Sequence, residues 1–371
     1  MNSGIDGRRR PALIVGNFLS GSIQTTCPCE ELSRRLAAIR PVLTTSHRLA
    51  RPARLLDMVW TAWTRRNQYA VAQVDVYGGR SFLWAEAVCF ALRRAHKPYA
   101  LTLHSGTFPE FARRAPERVR RLLAAAAAVT APSGYLLEKM LPYRPDIRLI
   151  PNAIDLGDYP FEPRRKAAPV LIWLRAFHAM YNAELAPKVL ALLKPEFPEI
   201  RLIMIGRDKG DGSLRRTKEI SEALDVGSRI EFPGGVPKLD VPRWLLRGSI
   251  FLNTTNVDNM PVSVIEAMAC GLCVVSTNVG GIPYLLEDGH DSLLTPPDDA
   301  PAMAAAVRRI LTDPALAERL SSAGRLKAER HGWDTVLPQW DELLDEMEWQ
   351  CAGSGGSARV LNADVMEKGH S

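Results

Sequence analysis

Short apolar or β-branched runs alternate with amphipathic stretches of roughly 10 to 18 residues along this chain, and the alternation runs through twice. That pattern specifies a parallel sheet wrapped by crossover helices, because parallel strands need a long return connection and are buried on both faces. In the first half the runs at 13–16, 71–76, 99–104, 128–131 and 148–151 read as strands, with helical patterns at 30–39, 56–65, 82–96 and 133–140. A polar stretch from Pro160 to Pro169 follows, carrying Pro163 and Arg164-Arg165-Lys166. The alternation then restarts, with strands expected at 170–174, 202–206, 230–232, 250–253, 274–277 and 292–295. A chain of 371 residues is too long for one compact core. The expected class is therefore α/β, with two doubly wound Rossmann-like domains at 1–163 and 168–332. A helix at 333–350 reaches back to the first domain, and 351–371, opening with Gly- and Ser-rich sequence, reads as a disordered tail.

Charge is distributed unevenly over these halves. Residues 1 to 165 hold 25 Lys and Arg against 13 Asp and Glu, a balance of +12, and the remainder holds 22 against 28, a balance of −6. The basic half predicts an anionic partner, either a phosphate-bearing substrate or a membrane surface; solvated arginine-rich helix faces account for it equally well. Nucleic acid is disfavoured, since the arginines are scattered over several helices without interleaved aromatics. No apolar run approaches the roughly 20 residues of a membrane-spanning helix, and the Arg8-Arg9-Arg10 run is followed by too short an apolar segment for a secretory signal, so a cytoplasmic location is expected. Six cysteines are too few for a disulfide scaffold. Cys270 and Cys273 form a Cys-x-x-Cys, but no second pair lies at zinc-ligand spacing and the motif follows a helix instead of starting one. The calcium-like run from Asp208 to Gly212 lacks oxygen ligands at its third and fifth positions, which are glycines. No metal site is expected.

The informative segment runs from Asn256 to Gly271. An acidic loop containing Asp258 ends in Pro261, a residue favoured at a helix start, and the helix that follows stops at Gly271. Free N–H groups of its first turn, from Pro261 to Val264, form a site for an anion, with Glu266 one turn further along. Two carboxylates flanking an anion site suit a phosphate ester whose attached hydroxyl-rich groups need acceptors. Taken alone, a Pro-started amphipathic helix with one Glu describes ordinary core packing as well.

Asp258, Glu266, the run Ala267-Met268-Ala269-Cys270-Gly271, the apolar 274–277 and Gly280-Gly281 together resemble the retaining glycosyltransferases of family 4, which have the two-domain GT-B architecture and use a nucleotide sugar as donor. Gly16-Asn17 after the first strand, His104 at a strand end, Pro151-Asn152-Ala153-Ile154-Asp155 at the domain junction, Arg175, Ile205-Gly206-Arg207-Asp208 and the closing helix extend the resemblance over most of the chain. By that resemblance Glu266 holds the nucleotide ribose and Asp258 contacts the transferred sugar. Arg175 grips the diphosphate, and His104 offers its main-chain carbonyl to the reacting sugar. Gly16, Gly206, Lys209, Gly235, Val236, Met260, Pro261, Val262 and Ser263 complete the implied donor site. Three departures stand out. Asp258 replaces the family's usual Glu and is shorter by roughly 1.5 Å. Met180 occupies the place of a Lys five residues after Arg175, where Lys209, His178, Asn182 or backbone N–H groups would have to compensate. The family's first-domain Gly-Gly loop becomes the looser Gly16 to Gly21. His104 also reads as a satisfied buried histidine, and Arg175 as half of an interdomain ion pair.

The reaction so implied moves a sugar to a hydroxyl acceptor with retention of configuration, without cofactor or essential metal. The basic first domain and the tryptophans Trp60 and Trp63 on a helical pattern suit docking at an anionic membrane face, although tryptophans at that spacing are more often core, and the family resemblance implies a lipid-linked saccharide or polysaccharide precursor as acceptor. Two other readings stay open: a nucleotide-sugar epimerase and a non-catalytic glycosyltransferase-like subunit.

Overall fold

The computed structural model describes residues 9–19 and 27–363, with side chains up to 350; residues 1–8, the loop residue Gly21 and 364–371 of the expected tail lie outside the described residues. The chain divides into two compact units, one of residues 1–132, 136–150 and 337–371, the other of 133–135 and 151–336. The first sheet contains β1 (Ala12–Val15), β2 (Val42–Thr45), β3 (Val71–Val76), β4 (Tyr99–Leu103), β5 (Ala128–Ala131) and β6 (Arg148–Leu149), in the order β2-β1-β3-β4-β5-β6. The second contains β7 (Val170–Leu174), β8 (Arg201–Ile205), β9 (Ile230–Gly234), β10 (Ile250–Asn253), β11 (Cys273–Thr277) and β12 (Ser292–Thr295), in the order β12-β11-β10-β7-β8-β9. All the strand pairings are parallel. The strand order reverses between β1 and β3 in one sheet and between β7 and β10 in the other, and ligands of such sheets bind beyond the strand ends at that reversal.

Burial on both faces explains the continuous apolar strands. Leu171 and Trp173 of β7 pack with the helices Leu185–Leu193 and Ala300–Thr312, while Ile172 faces the helix Val262–Ala269. Strand β2 was not anticipated: its Val-Leu-Thr-Thr sequence lacks a strong apolar signal and gains its place by pairing with β1. The helix Phe108–Arg114 was also unexpected; it and the helix Pro116–Ala124 each carry a proline in the first turn, where a missing N–H costs nothing. Among the described residues no helix is long and apolar enough to cross a membrane.

The proline-rich stretch near 160–169 is not the boundary that its composition suggested. It packs on the second unit, because the buried Arg164 donates its backbone N–H to the Ser321 hydroxyl oxygen at 3.0 Å and donates from Nη2 to the Gly248 carbonyl at 3.0 Å. The junction falls instead near 151. The closing helix runs Trp333–Ala363, through part of the stretch read as tail, and its residues from 337 onward belong to the first unit. Arg40 anchors it there. This guanidinium is wholly buried and donates to Asp341 Oδ1 from Nη2 at 2.9 Å, to Glu348 Oε1 from Nη1 at 3.0 Å, and to Asp345. The three acids fall at i, i+4 and i+7, on one helix face. Removing the cation while the acids stay in place is the costly way to break such a cluster. Arg40→Met is expected to destabilise the first unit by about 3 kcal/mol, seen as a lower urea midpoint.

His331, buried after the helix Pro314–Glu329, accepts the Ile154 N–H on its carbonyl at 2.9 Å. Burial pushes its imidazole pKa down from 6.5 to about 4. As pH falls from 6.5 towards 4 the unfolded chain takes up a proton that the folded chain refuses, so stability drops across that window, by up to about 3 kcal/mol. His331→Asn should flatten this loss, measured by denaturant unfolding of the second unit at pH 7 and pH 4.5.

Candidate functional site

In the second unit the chemistry collects where β7 and β10 end. Gly206 at the end of β8 allows the approach that places Arg175: a Cβ there would lie 1.6 Å from the Arg175 carbonyl oxygen. The Arg175 guanidinium stacks over the Tyr181 ring at 4.7 Å and forms an ion pair with Asp258. Burial lowers its pKa, and its Nε has no hydrogen-bond partner among the described residues. Arg175 is thus paired within its own unit. Asp258 sits on the loop after β10, which is tied down on both sides. The Asn256 N–H donates to the Met180 carbonyl at 2.8 Å, and the Gly281 N–H to the Asp258 carbonyl at 3.0 Å. Gly281 is needed as glycine here, since a Cβ would lie 1.7 Å from the Asn259 carbonyl oxygen.

The helix Val262–Ala269 starts after Pro261, as its sequence predicts, and Gly271 stands just beyond it at φ +82°. Its first backbone bond runs from Val264 N–H to the Pro261 carbonyl at 3.1 Å, so the Val262 and Ser263 N–H groups precede the hydrogen-bonded turn. The buried Ser263 hydroxyl has no partner among the described residues. Glu266, in the second turn, is buried and forms an ion pair with Lys238. Met260, Val264 and Val236 share one apolar cluster, which brings the segment after β9 against the start of this helix. Gly235, just before Val236, is covered by the Arg207 side chain.

Arg175, Gly206, Gly235, Val236, Asp258, Met260, Pro261, Val262, Ser263 and Glu266 all lie in this unit, at strand ends, on the loops that follow them or at the start of the helix. Lys209 is an exposed loop residue whose backbone N–H donates to the Phe177 carbonyl at 3.2 Å. Of the other groups considered for the missing Lys, His178 accepts the Met180 N–H on Nδ1 at 3.2 Å and Asn182 donates to Asp298 Oδ1 at 3.3 Å. Lys238 escaped the sequence reading. The signal available was a lysine directly after Gly234-Gly235-Val236-Pro237, but nothing local ties it to a carboxylate 28 positions on.

Gly16 and His104 belong to the first unit. His104 Nε2 lies 3.0 Å from Asp75 Oδ1, and its ring stacks on Tyr77 with centroids 4.9 Å apart. The imidazole is therefore buried and hydrogen-bonded. Asp75, which the sequence reading passed over inside an apolar strand, is held ionised: burial opposes its charge, but His104 and hydrogen bonds from His104, Gln73 and Cys29 outweigh it and lower the pKa.

The cysteine pair and the acidic loop resolve into structure. Burial pushes the Cys270 and Cys273 thiols up to about 12, which leaves them unreactive near neutrality. Asp208 and Asp211 cap the backbone N–H groups of Gly210 and Ser213 at 2.9 and 3.0 Å.

Comparison with known proteins places the chain in a family. The family described as Glycosyl transferases group 1 matches residues 159–327, and the family described as Glycosyltransferase Family 4 matches residues 24–158. The chain belongs to the group 1, family 4 glycosyltransferases. D-inositol 3-phosphate glycosyltransferase of Streptomyces bingchenggensis is 30% identical over 171 residues, 43% of this chain and 38% of that one. A component of the phosphatidylinositol N-acetylglucosaminyltransferase of Homo sapiens is 32% identical over 152 residues, 40% of this chain and 31% of that one. The chain thus spans about a third of the length of these relatives. The crystal structure of Anabaena HepE with UDP superposes with a TM-score of 0.72 at 16% identity, over 91% of this chain and all of that one, which establishes the GT-B fold.

Within this family member the Lys238–Glu266 pair makes a testable unit. Lys238→Met leaves a carboxylate buried without its cation and is expected to cost about 3 kcal/mol at pH 7. Adding Glu266→Gln should restore most of that loss, a coupling that denaturant unfolding of the single and double variants measures.

Proposed function

We propose that the protein transfers a glycosyl group from a nucleotide sugar to a hydroxyl acceptor with retention of anomeric configuration. The observation that carries this reading is the buried Glu266 one turn into the helix Val262–Ala269, with the Val262 and Ser263 N–H groups ahead of its first hydrogen-bonded turn, and Arg175 and Asp258 around the same strand ends. Glu266 accepts from the ribose hydroxyls. The helix start and Arg175 take the diphosphate, and Asp258 contacts the sugar. The bond from the anomeric carbon to the diphosphate oxygen breaks as the acceptor oxygen bonds to the same face. The acceptor's proton passes to the departing diphosphate, so no side-chain base and no metal ion is required. Negative charge grows on the leaving group, and the partly desolvated Arg175 and the helix start bind it more strongly in the transition state than in the ground state. Lys238 supplies the second cation that Met180 does not. UDP in the HepE structure supports a nucleoside diphosphate as the leaving group here.

The acceptor is read as a saccharide or lipid-linked saccharide, met at the inner face of a membrane during polysaccharide assembly. The name of the phosphatidylinositol relative supports a lipid acceptor. So does the first unit's surface: Leu56, Trp60 and Trp63 on the helix Arg51–Thr64 and Leu83 and Phe90 on the helix Phe82–Arg94 are exposed, with Trp60 at 69%. Arg66 and Arg94 stack on Trp63 and Phe90, an arrangement suited to an anionic interface.

A thermal-shift panel of UDP, GDP, ADP and CMP with their sugar conjugates tests the donor reading. One nucleotide should raise the midpoint of the second unit, equivalent to about 2.7 kcal/mol at a hundredfold excess over Kd, and Glu266→Ala should abolish that shift. No shift with any nucleotide at millimolar concentration would make the non-catalytic role the better reading.

A further inference from the structure

On the transferase reading above, two carboxylates of the second unit accept hydroxyls and two cations take the diphosphate. In the structure each carboxylate holds one of those cations: Asp258 forms an ion pair with Arg175, and Glu266 with Lys238. The second pair lies where the ribose hydroxyls must bind, so ribose and ammonium claim the same carboxylate.

The two members of that pair differ in freedom. The Glu266 side chain is 4% exposed and grows from a helix whose residues from Ser263 to Ala269 are all buried, so the carboxylate keeps its place. Among the described residues no other donor reaches its Oε1. A carboxylate so enclosed needs its cation, because stripping the partner from a buried charge is strongly destabilising. The Lys238 side chain is 55% exposed, on the short turn Lys238–Asp240, with its ammonium 5.9 Å from the centre of the Tyr159 ring. Its flexible four-carbon stem and its open side let it move where Glu266 cannot.

A second station for the ammonium is close by. Val262 and Glu266 are one turn apart, about 6 Å along the helix axis, and helical side chains lean back towards the helix start. The Lys238 ammonium on Glu266 therefore lies towards the Val262 and Ser263 N–H groups, which carry the positive end of the helix dipole. A cation gains nothing there by itself, but a diphosphate seated on those N–H groups attracts it.

We propose that Lys238 exchanges partners during donor binding: it covers Glu266 until a diphosphate at the helix start draws it away, which uncovers the carboxylate for the ribose. The inference rests on the donor reading above and adds a selection rule to it. A nucleoside alone has to break the ion pair without compensation, whereas a nucleoside diphosphate brings the group that takes the lysine. Diphosphate and ribose are thus positively coupled, and the coupling is reciprocal.

Nucleoside and inorganic pyrophosphate, offered as separate molecules, test it. Thermal shift of the full chain with UDP, GDP, ADP and CDP selects the base. Ligand-observed NMR titration then measures the affinity for the matching uridine, guanosine, adenosine or cytidine, with and without pyrophosphate. Pyrophosphate is expected to tighten nucleoside binding about fivefold or more, the lower end of ordinary coupling between sites. Lys238→Met should remove that coupling, and Lys238→Arg, which keeps a cation on the carboxylate, should retain most of it. The wild-type measurement depends on no variant's folding. A nucleoside affinity that pyrophosphate leaves unchanged or lowers overturns the proposal. So does coupling that persists in Lys238→Met, which would assign it to direct contact between the two ligands. A chain that binds none of the four diphosphates removes the donor reading and this inference with it; one that binds a diphosphate without the coupling removes this inference alone.

Discussion

Parallel sheets covered by helices on both faces leave little room for a charge except at and beyond the strand ends, and both units of this chain obey that constraint. The strands β7, β8, β10 and β11 are buried almost throughout, and their charged neighbours Arg175 and Asp258 stand on the segments that follow them. In the first sheet Asp75 sits one residue before the end of β3, and His104 is the first residue past β4. Desolvation then sets the terms. A charge placed there is tolerated when a partner lies within hydrogen-bond reach, as His104 does for Asp75 and Lys238 for Glu266. The ion pairs near the candidate site follow from burying a carboxylate beside an apolar helix; they are not decorations on its surface.

Much of this was legible in the sequence because it is local. A run of β-branched residues, a proline at a helix start and a glycine where a backbone must approach closely are each specified by a few adjacent positions. The strand β7 was placed to the residue, and Gly206 and Gly281 prove to stand where a Cβ would collide with a carbonyl oxygen. What escaped depends on partners distant in sequence. Lys238 meets Glu266, Gln73 and Asp75 meet residues 29 positions away, and Arg40 meets acids some 300 positions on. Strand β2 was missed for the same reason: its residues are ordinary, and pairing with β1 makes them a strand.

The Pro160–Pro169 segment shows how composition misleads about a boundary. Prolines and clustered cations usually mark a solvated linker, yet Arg164 is buried and fully engaged by carbonyl and hydroxyl oxygens of the second unit. Arginine can do this because its guanidinium is weakly hydrated and satisfies several acceptors in one plane. The Arg165 and Lys166 that follow it remain exposed. Charge alone did not distinguish the two kinds of position.

The same distinction gives the basic first half its meaning. Many of its arginines are matched: Arg34 and Arg35 with Glu31, Arg114 with Glu110, Arg118 with Glu86, Arg120 with Glu117, Arg144 with Asp146 and Arg148 with Glu346. These pairs cancel most of their own field at distances beyond the Debye length, about 10 Å at 0.1 M salt. The excess that reaches a ligand is the part without a partner, and in the first unit it includes the three guanidiniums around one concave wall, where low-dielectric surroundings focus it. A net charge of +12 over residues 1 to 165 is thus a poor guide by itself to what the unit binds. The informative quantity is where the unmatched cations converge, and in the first unit three of them, Arg51, Arg54 and Arg80, line one cavity.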